Sequence, residues 1–325
     1  MSGVGDEVGA GLQRAAKLIA DAPVVALACH VSPDGDALGS MLALHHSLRA
    51  AGRNSVASFP TPFVVAPHYR ELPGLDTLVP PGAFPPEPEV MVTFDCGSLA
   101  RLGDLEPVAA AAGELIVLDH HISNDRYGSV NVIDPEAAAT GVVVRRLMDV
   151  LDLPMAHDAA VCLYAALVCD TGRFQYATTT PQVFDLAREL VGYDVPVERL
   201  SRALFEEHRF AYLQLVAEVL GRAELCVDQR FVWTAVTVDD LERHGVTIDE
   251  AEGLIDLVRR TAEAEVSCVI KEEPGGTVRV SLRSLGDIDV CRVAEAEGGG
   301  GHRFAAGFTS SDPIPEVIAR IKAAL

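Results

Sequence analysis

Short apolar runs alternate with segments of helical periodicity through the first half of the chain. The runs are of strand length and carry almost no charge, which is typical of strands buried on both faces of a parallel sheet. They are VVALACH (24–30), SVASF (55–59), VMVTFD (90–95) and ELIVLDHH (114–121). Apolar residues recur at helical spacing in the segments 6–21, 36–51, 141–152 and 157–171, the third preceded by Thr140 as a candidate N-cap. The alternation predicts a doubly covered parallel sheet, which binds ligands at the carboxyl ends of its strands.

The pattern changes in the second half of the chain. From about Phe210 we predict a helix, the strands AELCVD and RFVWTAVTV, a helix over 249–263, a hairpin with PGG at its turn, and a short final helix. The predicted fold is α/β, with an N-terminal parallel-sheet domain and a smaller α+β C-terminal domain. We place the first domain at 1–190, a helical linker at 191–209 and the second domain at 210–325. A proline-rich stretch over 60–88 is predicted to be a surface loop with a short helix.

Composition narrows the functional classes. A length of 325 residues favours about two domains, and 49% hydrophobic residues suffice for two cores. The net charge of −21 argues against binding of long duplex nucleic acid, which needs broad basic surfaces. The longest apolar runs fall short of the roughly 20 residues that span a bilayer, so we expect a soluble, cytoplasmic protein with no membrane partner. Seven cysteines without a CxxC pair indicate reduced, buried thiols.

Side chains suited to chemistry follow the predicted strands. HVSPDGDALGS places His30, Asp34 and Asp36 directly after the first strand, although either aspartate could simply cap the next helix. Asp95 ends the third strand, where the alternative is an acid that caps a loop. The triplet Asp119, His120 and His121 ends the fourth strand. Asp170 lies near the carboxyl end of an apolar helix, where the helix dipole disfavours it unless a cation or Arg173 is close.

These clusters share a ligand chemistry. Three of them follow strands of one sheet, so they are expected to converge at one edge. Imidazole and carboxylate groups without thiolates suit Mn²⁺ or a similar divalent ion better than a structural zinc ion. The number of ligands is sufficient for two ions.

Taken together, the motifs resemble a known family. DHH (119–121), preceded by HVSPDGDALGS and FDCG and followed by CDTGRF, is similar to the DHH phosphoesterase superfamily, and GGGGHRFAAG (298–307) to its DHHA1 domain. Within it the chain most resembles the nanoRNase/pAp phosphatase group, which includes enzymes that hydrolyse cyclic di-AMP. The resemblance implies two Mn²⁺ ions per chain, and it implies the following ligands. One ion would be held by His30, Asp34 and Asp95, and the other by Asp36, Asp95, His120 and Asp170, with Asp95 bridging.

The resemblance also implies an activity. Two ions would activate a water as hydroxide, which attacks phosphorus in line with the leaving ribose oxygen. Asp95, Asp36 and His121 are the candidate catalytic residues, and His121 would contact phosphate or orient a ligand. The expected substrates are small nucleotides: cyclic di-AMP, pApA and other short oligoribonucleotides cleaved to AMP, and the 3′-phosphate of pAp. They would bind in a cleft between the domains, and the candidate contacts are Arg173, Arg283, Gly300, Gly301, His302 and Arg303.

Three alternatives remain open on the sequence. A manganese inorganic pyrophosphatase resembles the first domain, but the glycine-rich tail argues against it. A RecJ-like exonuclease would need a basic, aromatic-rich nucleic-acid-binding segment, which is not evident. A non-catalytic nucleotide sensor would bind metal and ligand without turnover. A homodimer formed by apolar N-terminal helices is a further prediction.

Overall fold

The structure is a computed structural model that describes residues 2–325, with side chains described from residue 5 onward. The chain divides into two units, the first extending to Glu206 and the second from Glu207 to Leu325. Each unit has its own β-sheet and its own hydrophobic core. None of the helices within the described range is both long and apolar enough to cross a bilayer.

The first unit is built on a parallel sheet. Its strands are β1 Val24–Cys29, β2 Asn54–Ser58, β3 Val90–Phe94, β4 Glu114–Asp119 and β5 Val130–Ile133. Its helices are α1 Ser2–Asp21, α2 Gly35–Ala50, α3 Glu106–Ala111, α4 Thr140–Val150, α5 His157–Asp170, α6 Pro181–Val191 and α7 Val197–Phe205. The strand order is β2-β1-β3-β4-β5 and every neighbouring pair is parallel, which confirms the predicted sheet. The pattern missed β5 because four residues, one of them asparagine, give no periodic signal.

The two faces of this sheet are covered differently. On β1, Val25 and Leu27 contribute to a large core with the helices α1, α2, α4 and α5. Ala26 and Ala28 point to the other face, where they pack with Phe84 and residues of α3 and the preceding turn. The proline-rich stretch contains three short 3₁₀ turns, Pro67–Tyr69, Leu75–Thr77 and Pro81–Ala83, in place of the one short helix predicted.

Helices α2 and α5 approach each other closely because glycine stands at their contact. A Cβ atom on Gly39 would lie 2.4 Å from the carbonyl oxygen of Cys162, well inside van der Waals contact. At the start of α4, a Cβ atom on Gly141 would lie 2.9 Å from the Cβ atom of Ala166. The close packing fixes the first turns of α2 and α4 and the last turn of α5 relative to one another.

The N-cap of α4 differs from the prediction. Ala139, not Thr140, occupies the cap position, and Thr140 is the first helical residue. The prediction was wrong because the Thr140 hydroxyl is used elsewhere: it donates to a carboxylate of Asp95. The first amides of α4 are accepted instead by Asp36, a residue of α2.

The second unit contains a mixed sheet. Its strands are β6 Glu224–Cys226, β7 Phe231–Val236, β8 Val266–Glu272, β9 Val278–Ser284, β10 Gly300–His302 and β11 Ala305–Ser310. Its helices are α8 Phe210–Gly221, α9 Val238–His244, α10 Leu254–Val258, α11 Val290–Ala296 and α12 Ile314–Ala324. The order is β10-β11-β9-β8-β7-β6, antiparallel except for the pair β7 and β8. The predicted hairpin is confirmed as β8 and β9, with Gly275 and Gly276 at positive φ in its turn.

In this unit one helix prediction is wrong and one helix was not predicted, each for a local reason. The single helix over 249–263 is wrong: a 3₁₀ turn, Asp249–Ala251, is followed by the five-residue α10, and Gly253 stands between them. Helix α9 was not predicted, although Thr237 and Asp240 form a capping box at its start. The T-x-x-D spacing is a capping-box signal that overlaps the end of the predicted strand RFVWTAVTV.

The sheet of the second unit is apolar on one face; on the other face β7 and β8 pack against α8 and α10, and β9, β11 and β10 stay partly exposed. On β9, Val278, Val280 and Leu282 pack with α11 and α12, and Ser281 and Arg283 point the other way. Cross-strand pairing extends this alternation to β11 and β10. We call the partly exposed surface on the Arg283 side the polar face; its residues are Ser281, Arg283, Gly300, His302, Ala305 and Gly307.

Candidate active site

The candidate site lies at the carboxyl ends of β1, β3 and β4. Strand β1 ends at Cys29, β3 at Phe94 and β4 at Asp119, and a polar motif begins at the end of each of these strands. His30, Asp95 and His120 are therefore the first residues beyond their strands. The start of α2 and the end of α5 complete the site with carboxylates.

Two groups of potential metal ligands meet at this edge of the sheet. Ligand atoms of His30, Asp34 and Asp95 all lie within 4.8 Å of one another. The same is true of Asp36, His120 and Asp170. The structure thus brings together all six side chains that the sequence named as metal ligands; that they bind metal stays a prediction.

Asp95 lies between the two groups. Its Oδ2 atom is 3.7 Å from His30 Nε2, and its Oδ1 atom is 3.6 Å from His120 Nε2. Asp95 adopts a φ of 53°, in the left-handed region that few residues without glycine's freedom occupy. The backbone turns immediately after β3, and this turn aims one carboxylate at both groups.

His120 faces the carboxylates through Nε2. That atom is 3.3 Å from Asp170 Oδ2 and 3.8 Å from Asp36 Oδ2. The other ring nitrogen, Nδ1, is 3.1 Å from the carbonyl oxygen of Ala137. Because a carbonyl only accepts, Nδ1 carries a proton, and Nε2 is the ring nitrogen that faces the carboxylates, as in histidines that bind metal.

Both aspartates of the first motif also cap helices. Asp34 is the N-cap of α2, and its Oδ1 atom accepts from the amides of Asp36 and Ala37 at 3.1 and 3.0 Å. Asp36 accepts from Ser40 Oγ at 2.9 Å and from the first two amides of α4. The alternative that an aspartate caps the next helix is therefore correct for Asp34, whereas Asp36 accepts the first amides of α4 and not those of α2. Both roles coexist with a place among the potential ligands.

His121 is held by Asp119. Its Nδ1 atom lies 2.7 Å from Asp119 Oδ1 and 3.4 Å from Asp95 Oδ1. Asp119 is fully buried and also accepts from Asn124 Nδ2 at 2.5 Å. The same asparagine donates to the carbonyl oxygen of Cys96, which links the loops that follow β3 and β4.

Sequence reasoning missed two residues that position this site. Thr140 donates its hydroxyl to Asp95 Oδ1 at 2.9 Å, and Asn124 donates to Asp119, which holds His121. Asp119 itself was named from the sequence as part of the DHH triplet. Thr140 and Asn124 lie outside every motif, and their roles arise from tertiary contacts alone.

The electrostatics of the cluster favour a cation. Burial, together with the charges of Asp95 and Asp170, raises the pKa of Asp36 well above its usual range. Burial is also the main cause that raises the pKa of Asp170 to about 6. Burial would raise the pKa of Asp95 too, but the imidazoles of His121, His30 and His120 outweigh it and the net shift is downward. Buried carboxylates in this number are stable in their ionised form only beside positive charge.

The pKa of His121 is raised by its neighbours. Burial lowers the pKa of its imidazole, but the carboxylates of Asp95 and Asp119 outweigh that effect and raise the pKa to about 9. The donor set as a whole, imidazoles and carboxylates without thiolate, fits a hard or borderline divalent cation. The residues present therefore fit the metal that the sequence motifs implied.

The predicted substrate contacts fall in both units. In the first, the Arg173 guanidinium lies over the ring of Phe205, 5.1 Å from its centroid. In the second, Arg283, Gly300 and His302 share the polar face. Gly301 has a φ of 140°, and a Cβ atom there would lie 2.5 Å from the carbonyl oxygen of Ala305, so the hairpin itself requires this glycine.

Gly300 and Arg303 complete this set. A Cβ atom on Gly300 would meet nothing within 4 Å among the described atoms, so the hairpin does not require a glycine there. Arg303 is exposed and off the polar face; it donates to the carbonyl oxygen of Asp287 at 3.1 Å and lies 5.2 Å from the ring centroid of Phe304.

Comparison with known proteins agrees with this arrangement. Residues 24–167 match the model of the DHH family, N-terminal domain, and residues 229–325 match the DHHA1 domain. The bifunctional oligoribonuclease and PAP phosphatase NrnA of Thermus thermophilus is 33% identical over 285 residues, which cover 87% of this chain and 83% of that protein. The cyclic-di-AMP phosphodiesterase GdpP of Geobacillus thermodenitrificans is 28% identical over 217 residues, covering 62% of this chain and 30% of that protein.

A solved structure supports the fold over the full length. The crystal structure of an exopolyphosphatase-related protein from Bacteroides fragilis superposes with a TM-score of 0.88 at 23% identity, covering 97% of this chain and 95% of the other. At that level of sequence identity, the similarity shows a shared fold. With both domain matches in chain order, and with the Thermus relative similar over most of its length, the chain belongs to the DHH phosphoesterases that carry a DHHA1 domain.

Proposed function

We propose that this phosphoesterase is a Mn²⁺-dependent phosphodiesterase that cleaves pApA and other short oligoribonucleotides to AMP. Cyclic di-AMP and the 3′-phosphate of pAp are proposed as further substrates. The observation that carries the proposal is the position of Asp95, whose two carboxylate oxygens face two separate groups of histidine and aspartate. A carboxylate that faces two ligand sets is suited to bridging a pair of divalent ions.

The ligand assignment follows the two groups. His30, Asp34 and Asp95 would hold one ion, and Asp36, Asp95, His120 and Asp170 the other. Bound divalent cations would lower the pKa of a coordinated water and offset the charge on phosphoryl oxygens. The hydrogen bond from Nδ1 of His120 to Ala137 keeps Nε2 available as a ligand.

His121 supplies a hydrogen-bond donor beside the carboxylates. Asp119 fixes the orientation of the ring and helps to raise the pKa of the imidazole to about 9. A donor in this place can stabilise negative charge on a phosphoryl oxygen. In the hydrolysis of pApA, the oxygen of water bonds to phosphorus, the bond from phosphorus to the ribose 3′-oxygen breaks, and that oxygen takes up a proton.

Support for small nucleotide substrates comes from the second unit and from the relatives. The polar face combines the guanidinium of Arg283 with the backbone of Gly300, where a side chain is absent without a packing reason. Arginine and exposed backbone amides are suited to phosphate groups. The relatives' names include oligoribonuclease, PAP phosphatase and cyclic-di-AMP phosphodiesterase, which are activities on small nucleotides of this kind.

Product analysis by chromatography tests the proposal. The purified full chain, stripped of metal and reloaded with Mn²⁺, would receive pApA, cyclic di-AMP, pAp and pyrophosphate in parallel. We expect AMP from pApA, with activity lost in Asp95→Asn and on chelation. Asp104→Asn, a change to an exposed aspartate that accepts from Thr61, is the matched control and should keep full activity. Cleavage of pyrophosphate alone, or binding of nucleotide without turnover, would contradict the proposed function.

A further inference from the structure

Arg101 stands beside the candidate metal site without belonging to either ligand group. It lies in the 3₁₀ segment Leu99–Leu105 that follows the Asp95 turn, and its side chain is exposed. Its carbonyl oxygen accepts a hydrogen bond from the amide of Val31 at 2.9 Å. The backbone of Arg101 is thus anchored to the loop that carries His30.

The Arg101 guanidinium and the Val31 carbonyl oxygen both contact the same ring nitrogen of His30. Its Nη2 atom lies 3.0 Å from His30 Nδ1, and the carbonyl oxygen of Val31 lies 2.9 Å from the same nitrogen. A guanidinium only donates and a carbonyl only accepts, so Nδ1 cannot serve both at once. For any one protonation state of the ring, only one of the two contacts can be a hydrogen bond.

Binding of a cation through His30 Nε2 decides which contact remains. With the Nε2 lone pair committed to a ligand bond, Nδ1 is the nitrogen that carries the proton. It then donates to Val31, just as Nδ1 of His120 donates to Ala137. The Arg101 guanidinium is left without its acceptor on His30, at the exposed edge of the site.

The charge of the site favours a second use for this guanidinium. The candidate metal site contains five aspartates: Asp34, Asp36, Asp95, Asp119 and Asp170. Two divalent ions would bring four positive charges to these five carboxylates, and a substrate phosphate would add its own negative charge. A planar guanidinium with two parallel donors matches the oxygens of a phosphate.

We propose that Arg101 is a phosphate-binding residue, whose guanidinium contacts the substrate's phosphate when His30 binds a metal ion through Nε2 and its Nδ1 donates to Val31. This inference rests on the proposed function for the identity of the substrate. It assigns a substrate contact to the first unit that no sequence motif indicated. The residue binds the phosphate group, so it would act on every nucleotide substrate alike.

The test compares Arg101→Gln and Arg101→Lys with Arg14→Gln. Arg14 is an exposed arginine of α1 whose partner, Glu114, begins β4 at the edge of the sheet opposite to the site. Three quantities would be measured for each protein: the Mn²⁺ content, the affinity for AMP of the Mn²⁺-loaded protein by calorimetry, and kcat and KM for pApA. AMP carries the phosphate but is not turned over, so its affinity reports binding alone.

We expect Arg101→Gln to weaken AMP binding by about 10- to 100-fold, with Mn²⁺ content unchanged. KM for pApA should rise by a similar factor, and Arg101→Lys should recover part of the loss. An AMP affinity equal to that of Arg14→Gln would overturn the proposal. So would loss of Mn²⁺ with normal AMP affinity at saturating Mn²⁺, since that would make Arg101 a residue that only positions His30. A wild-type protein that binds AMP but leaves pApA intact would contradict the proposed function instead, and the AMP affinities would still decide the role of Arg101.

Discussion

The hydroxyl of Thr140 donates a hydrogen bond to Asp95 at 2.9 Å, across the gap between α4 and the turn after β3. Both groups are buried, and the bond goes to Oδ1, the carboxylate oxygen that also faces His120 and His121. Thr140 therefore sets the rotation of the one carboxylate that both ligand groups share.

Replacing Thr140 with valine should weaken the site without disturbing the core. Valine has nearly the shape of threonine but leaves Asp95 Oδ1 without this donor, and loss of such an outer hydrogen bond typically costs 10- to 100-fold in metal affinity or activity. We expect kcat or Mn²⁺ affinity to fall by about 10-fold in Thr140→Val, measured by steady-state kinetics across a Mn²⁺ series. Thr140→Ser keeps the hydroxyl and should stay near wild type; equal losses in both variants would rule out the hydrogen bond as the cause.

A second prediction concerns the pair of Asp119 and His121. Asp119→Asn removes the charge that orients the imidazole and helps to raise its pKa, so the pKa of His121 should fall from about 9. We expect kcat to drop by about 100-fold with Mn²⁺ still bound. Histidine resonances followed by NMR in the metal-free protein would report the pKa, and kinetics the rate. An unchanged pKa and an unchanged rate would show that Asp119 serves the fold only.

Metal affinity should depend on pH through Asp170. Burial raises the pKa of its carboxyl to about 6, so above pH 6 the group is ionised and ready to bind, and below pH 6 a cation must displace a proton. Asp36, whose pKa is also raised, acts in the same direction. Calorimetric Mn²⁺ titrations between pH 5 and 8 should therefore show affinity falling on acidification, by about tenfold per pH unit for each proton displaced.

The matched variant for this prediction is Asp170→Asn. It should bind Mn²⁺ more weakly throughout and show a shallower pH dependence, because one of the competing protons has been removed. A wild-type affinity that stays constant from pH 8 to pH 5 would contradict the assignment of Asp170 as a ligand.

The close contact of α2 and α5 gives a prediction about stability. In Gly39→Ala the new methyl group would lie 2.4 Å from the Cys162 carbonyl oxygen, so the helices must separate. We expect the free energy of unfolding to fall by about 1–3 kcal/mol, as for other overpacked cores, and Mn²⁺ affinity to fall with it. Denaturant unfolding and calorimetry would measure the two effects.

Gly9→Ala in α1 is the control for the helix propensity of alanine. A Cβ atom there meets nothing within 4 Å of the described atoms, so the change should raise stability by about 0.5–1 kcal/mol. If Gly39→Ala were stabilising by the same amount, the close approach of the two helices would not exist.

The candidate site could be located from the sequence because chemistry and topology coincide in it. His30, Asp95 and His120 each follow an apolar strand, and parallel strands bring their carboxyl ends to one edge. Asp170 could be added because a carboxylate at a helix C-terminus is unfavourable without a cation. The side chains do converge as this reasoning requires.

The parts that escaped prediction depend on contacts between distant residues. The residue type and position of Thr140 predict a helix cap. Only the folded chain shows that its hydroxyl is directed at Asp95. Strand β5 is too short to show a repeating pattern of apolar and polar positions. The segment 249–263 has helical composition, yet Gly253 and short-range turns divide it, because burial of the apolar residues there does not require a continuous helix.

The double duty of Asp34 and Asp36 bears on how the motif would change over evolutionary time. Each aspartate satisfies the first amides of a helix, Asp34 those of α2 and Asp36 those of α4, whose own cap residue, Ala139, offers no side-chain acceptor. Selection for a stable fold would therefore retain both residues in a descendant that had lost its substrate. In such a lineage, substitutions would accumulate first at positions with no capping role, such as Asp170 and Arg101. Those two residues are therefore the ones to inspect when judging whether a related chain still hydrolyses its substrate.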